Sequence, residues 1–180
     1  MQDTSLLQWM EEFVPEAEVA EKVKTDRVTA AYKELLSGYN EEPSTILKVV
    51  DHVKDFNGLV CEKNIKFQSM CQHHFLPFIG TISVVYEPGE VIVGLGKISR
   101  FVHALAKRLQ FQERLTQQIA EEFMRSAQAK GVYVYSTAVH LCMGFRGPSD
   151  PNAEASCFYA LGTLNDPSRQ VQINKLLEIK

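Results

Sequence analysis

Apolar residues between Pro15 and Tyr39 fall at Val19, Val23, Val28, Ala31, Leu35 and Leu36, close to a 3.6-residue period. That spacing predicts an amphipathic helix, with Gly38 at its end as a stop signal. The polar stretch NEEPST after it reads as a loop. The pattern then changes. Leu59 to Met70 and Phe78 to Tyr86, rich in Val, Ile and Phe, predict strands, and Glu87-Pro88-Gly89-Glu90 is a turn signal. Ile98 to Leu109 predicts a helix. Gln112 to Lys130 predicts another, with Leu115, Ile119 and Phe123 four apart on one face and Gly131 as its stop. Gly131 to Met143 and Ala155 to Leu164 predict two more strands, and Pro167 opens a C-terminal helix.

The order is helices, two strands, two helices, two strands, helix. This is an α+β pattern: a mostly antiparallel sheet carrying helices on one face. We expect an N-terminal helical segment over 1–45 and a single structural unit over 46–180. At 180 residues the chain has the length of one domain with a real core. Its formal net charge of -3 gives no general attraction for nucleic acid, so an anionic ligand needs a local cluster of Arg and Lys. No apolar run approaches a membrane span, and the start MQDTSLLQWMEEF lacks the basic flank and apolar core of a signal peptide. These features predict a cytoplasmic protein without a membrane partner. In that setting four cysteines are thiols or metal ligands rather than disulfides.

Two short clusters carry candidate chemistry: Cys71-x-x-His74 and His140-x-Cys142. Residues two apart on a strand share a face, so His140 and Cys142 are expected to project together. Neighbours in an extended segment point apart, so His73 and His74 are not expected to share one ion. Thiolate and imidazole donors suit zinc. Four ligands would make a closed structural site. Three would leave a position for an acidified water, and spacing alone does not separate these readings.

The blocks SMCQHHFLPF (69–78), VGLGKISR (93–100), RLQFQERLTQQIA (108–120) and HLCMGFRG (140–147), in this order, resemble the GTP cyclohydrolase I family. The resemblance implies the tunnelling fold: paired antiparallel strands with two helices between them, assembled as a homodecameric ring with active sites between subunits. It implies Zn2+ on Cys71, His74 and Cys142, with His73 and His140 acting on the substrate. The implied reaction converts GTP and water into 7,8-dihydroneopterin triphosphate and formate. Glu113, with Gln112 beside it, matches the guanine-binding position. Lys97, Arg100 and Arg146 match triphosphate contacts, and Arg27 does so from a neighbouring subunit. Two alternatives stay open: a paralogue that stops at the formamidopyrimidine stage, and a zinc-containing purine- or pterin-binding ring without turnover.

The chain departs from the family at Gln72, usually Glu, and at Gly96, usually Ser. The first removes a negative charge near the metal cluster. The second removes one hydroxyl contact to phosphate, weakening binding by about 1 kcal/mol. After Arg146-Gly147, PSDPNAEAS replaces a Thr/Ser-rich run. The N-terminal segment is shorter than in many members, so no N-terminal regulatory element is expected.

Overall fold

A computed structural model describes residues 4–15, 18–19, 22–53 and 56–178. It divides into two compact units, Met1–Leu36 and Ser37–Lys180. In the first, α1 spans Thr4–Glu11 and α2 spans Thr25–Leu35. The helix expected over Pro15 to Tyr39 is therefore regular from Thr25 onward, while positions 16, 17, 20 and 21 of that stretch lie outside the described residues. No helix among the described residues is long and apolar enough to cross a membrane.

The second unit is built on a five-stranded sheet in the order β5-β2-β3-β6-β7. Its strands are β2 (Val60–Cys71), β3 (Pro77–Glu87), β5 (Leu109–Gln110), β6 (Gly131–His140) and β7 (Glu154–Gly162). All neighbouring pairs are antiparallel except β2 with β5, which runs parallel through Met70↔Leu109 and Cys71↔Gln110. The expected α+β pattern is therefore present. A two-stranded ribbon of β1 (Val49–His52) and β4 (Val91–Val93) was not anticipated, because three or four residues are too few to show a period.

Two helices lie between the strand pairs: α3 (Leu95–Ala106) and α4 (Gln112–Ser126). Ile98, Phe101, Val102 and Leu105 of α3 and Leu115, Ile119 and Phe123 of α4 bury into one core. That core meets Ile82, Val84 and Tyr86 of β3 and Val132 and Val134 of β6, which alternate onto the same face. The other face is not bare. Val85 and Tyr133 pack there against Leu164 and Ile173, the latter from α6 (Pro167–Leu177). The helices are thus not confined to one face: α6 covers part of the second, secured by the Arg169–Glu87 ion pair at 2.8 Å.

Gly38 has a different role from the helix stop read in the sequence. It sits in a 3-10 turn (Ser37–Asn40), where a Cβ would come within 2.2 Å of the Ala104 carbonyl at the end of α3. Close backbone approach explains the glycine there.

α3 runs alongside β2. Ser99 donates to the Glu62 carboxylate, His103 Nε2 lies 2.9 Å from the Lys66 carbonyl, and Ser69 reaches the Arg108 carbonyl at 3.2 Å. The start of α3 therefore sits at the Glu62 end of β2, and Cys71 at the other.

Candidate active site and metal centre

Three junctions converge where β2 ends. The first is the β2–β3 hairpin loop. Its backbone folds tightly: Phe75 N–H donates to the Cys71 carbonyl at 2.9 Å, and Cys71 N–H to the Leu76 carbonyl at 2.9 Å. Phe75 adopts φ 55, the left-handed region that an aromatic residue rarely occupies. Residues 72–74 form a turn, not an extended run. The expectation that His73 and His74 point apart assumed extension and does not apply. Both Nδ1 atoms lie 4.0 Å from Cys71 Sγ, and Cys71, His73 and His74 form a group able to hold a metal.

The second junction is β6 into α5 (Leu141–Gly144). The strand expected to run through Met143 stops at His140, and Phe145 N–H closes the helical turn on the Leu141 carbonyl at 3.0 Å. His140 and Cys142 therefore do not share a strand face as the spacing suggested. The turn nevertheless brings Cys142 Sγ to 4.0 Å from Cys71 Sγ, with both thiols buried. Burial pushes the Cys142 thiol up, the neighbouring Cys71 adds to this, and Arg146 opposes it. Arg146 itself is exposed.

The third junction is β5 into α4. Pairing of Cys71 with Gln110 fixes the start of α4 beside the loop. Phe111 places its ring 4.3 Å from that of His73. Glu113 stands exposed in the first turn of α4, where the helix dipole favours a carboxylate. Its charge also acts on His140, raising a pKa that burial lowers more strongly.

His140 is held on two sides. Its ring stacks on Phe78 at 4.6 Å and 2°, and its Nε2 lies 2.8 Å from Gln112 Oε1. Gln112 is only 2% exposed, and its amide nitrogen faces the Ala155 and Ser136 carbonyls at 3.0 and 3.3 Å. Phe78, Phe111, Ser136 and Thr116 were not singled out from the sequence. Their types are ordinary in strands and helices, so only tertiary position marks them.

Lys97 and Arg100 lie apart from this cluster, toward the Glu62 end of β2. They line a cavity of about 460 Å3 with Ser37, Thr45, His103 and Lys107. Nothing within 4 Å would meet a Cβ at Gly96, so a serine side chain would have room there. Arg27 is exposed on α2 in the N-terminal unit. His103 ties α3 to β2, and Cys157 of β7 contacts Ser136 and Thr116.

The donors suit a zinc-like ion. Tetrahedral zinc with thiolate and imidazole ligands places its donor atoms about 3.5–3.7 Å apart, within a few tenths of the 4.0 Å of the Cys71–His74 and Cys71–Cys142 pairs, while the donors of Cys71, His73 and His74 all lie within 4.8 Å of one another. Two buried sulfurs with adjoining imidazole nitrogen also match that metal in softness.

The chain is similar to known proteins. A GTP cyclohydrolase 1 from Pelagibacter ubique is 43% identical over 159 residues, 88% of this chain and 78% of its own. One from Clostridium kluyveri is 46% identical over 129 residues, 72% and 69% of the two chains. A solved structure, the archaeosine synthase QueF-Like in the apo form, matches 60% of this chain and 97% of its own at 17% identity and a TM-score of 0.48. The family model of GTP cyclohydrolase I matches residues 2–178, so the four sequence blocks, the three junctions they build and nearly the whole chain between them belong to the GTP cyclohydrolase I family.

Proposed function

We propose that this protein is a zinc-dependent GTP cyclohydrolase I. It converts GTP and water into formate and 7,8-dihydroneopterin triphosphate, the first step toward reduced pterins. The observation that carries this reading is the meeting of two buried thiols, three imidazoles and the Glu113 carboxylate at the junctions closing β2, β5 and β6.

Cys71, His74 and Cys142 would hold zinc. When bound, the ion supplies Lewis acidity and lowers the pKa of a coordinated water. Glu113 would accept the N1–H and 2-amino protons of guanine together, a charge-assisted pair. His73 and His140 would move protons to and from the purine and ribose, as an imidazole can near neutral pH. Arg146 would meet the phosphates nearest the metal.

Lys97 and Arg100 would bind the triphosphate of a nucleotide seated in another copy. Ser99 contacts Glu62, nine residues before Cys71 on β2, which separates these cations from Cys71 by roughly 20–30 Å. That exceeds what one triphosphate spans with its base at Cys71. This separation supports a ring of tunnelling-fold subunits with shared active sites, and the homodecamer is the assembly we propose, with Arg27 also acting across copies. We assign it to the cytoplasm, with no nucleic-acid or membrane partner.

The test incubates zinc-loaded protein with GTP and follows formate and the pteridine absorbance together. Both products in equal amounts are expected. Formate without pteridine would replace the reading with arrested ring opening. Retained GTP with neither product would replace it with a binding protein.

A further inference from the structure

The amide of Gln112 can point only one way. Its Nε2 faces the carbonyls of Ala155 at 3.0 Å and Ser136 at 3.3 Å. Carbonyls only accept, so the group facing them must be the NH2. The opposite end, Oε1, then faces His140 Nε2 at 2.8 Å and can only accept. The ring nitrogen at that contact must carry a hydrogen.

The support behind Gln112 runs in one direction. Thr116 Oγ1 donates to the Gln112 main-chain carbonyl at 2.8 Å. With its single proton used there, Thr116 accepts from Ser136 Oγ at 2.8 Å; one Gln112 N–H goes to the Ala155 carbonyl, and the other is shared between the Ser136 carbonyl at 3.3 Å and Ser136 Oγ at 3.1 Å. The Cys157 thiol, 3.1 Å from Ser136 Oγ, supplies the remaining donor. Gln112, Thr116 and Ser136 are all buried to 2% exposure or less, so water does not compete for these bonds. Phe78, stacked on the imidazole, prevents the ring from turning out of this plane.

We propose that Gln112 is a positioning residue rather than a guanine contact. It holds His140 as the Nε2–H tautomer and leaves Nδ1 as the ring's only acceptor for the reacting nucleotide. The use of Nδ1 in the reaction rests on the function proposed above; the tautomer does not.

The test is a long-range 1H–15N correlation spectrum of the zinc-loaded, 15N-histidine-labelled full chain, recorded at about pH 8 where an ordinary imidazole is neutral. The His140 signals are identified by their loss in His140→Asn. One dominant Nε2–H pattern is expected. In Gln112→Met, which keeps volume but removes the amide, the minor tautomer should grow to a comparable population. Its kcat should fall about tenfold or more while KM for GTP changes less than about threefold. An Nδ1–H or mixed pattern in the wild type overturns the proposal even if Gln112→Met fails to fold, as does an unchanged pattern in a folded Gln112→Met. A raised KM with unchanged kcat would return Gln112 to guanine binding. Full turnover by His140→Asn would overturn the role of His140 in the reaction while leaving its tautomer as measured.

Discussion

Cys142 and Cys71 face each other at 4.0 Å with almost no water around them. A thiol whose pKa is raised by burial and by a neighbouring sulfur is protonated at neutral pH, so a metal must displace its proton. Zinc affinity should therefore fall about tenfold per pH unit for each proton displaced, as pH drops below the raised pKa. Competition titration with a chromogenic chelator between about pH 6 and 8 checks this, and a flat profile would show that the thiol is already ionised. Glu113 makes a second residue-scale prediction. Glu113→Ala should reduce kcat/KM for GTP by about a hundredfold, because a charge-assisted pair of hydrogen bonds is lost. Wild-type turnover would place guanine elsewhere. The cluster of Cys71, His73, His74, His140 and Cys142 was legible in the sequence, because thiols and imidazoles at short spacing stand out; which of them would hold a metal was not, since spacing leaves three- and four-ligand sets open. The work of Gln112 was not: a glutamine opening a helix has no pattern that announces two carbonyls waiting for its NH2.

At the scale of elements, the periodicity found the four long strands and both intervening helices, but misplaced the ends. β6 was read through to Met143 because Val139, Leu141 and Met143 are as apolar as a strand requires. What ends it is a hydrogen bond, Phe145 N–H to the Leu141 carbonyl, which no alternation reveals. The β3–β6 pair also holds a constraint invisible to pattern. Gly80 pairs with Ala138, and a Cβ there would come within 1.8 Å of the Thr137 carbonyl. Gly80→Ala should force the two strands apart and cost about 3 kcal/mol or more. Urea denaturation measures it; a loss below about 0.5 kcal/mol would mean that the pair relaxes freely.

For the whole molecule, the sheet ends on one side at β7, which among the described residues has β6 alone as a neighbour. β7 shows Phe158 at 55% exposure, part-supported by a stacked contact with Tyr133 at 5.4 Å. An open strand edge with an exposed aromatic invites pairing with another chain, the arrangement a closed ring would satisfy. Phe158→Lys should shift the mass in light scattering from a ring toward smaller species, with the circular dichroism spectrum retained. An unchanged mass would remove this edge from the assembly. The sequence showed the strand, since Ala155 to Leu164 carries a run of apolar and aromatic residues; it could not show that one side lacks a partner, because pairing is decided by the other strands.

The course of α3 beside β2 sets a rule of inheritance for damaged rings. If the cations at the Glu62 end serve a nucleotide held at the Cys71 end of a different copy, one defect never disables both halves of the same site. Cys71→Ala and Arg100→Ala chains, each inactive alone, should rescue one another when unfolded, mixed equally and refolded together. Random neighbours leave about a quarter of the sites with both halves intact. Activity would then be a property of adjacency, carried by no single chain, and a mixture that stays silent would mean that each subunit serves itself.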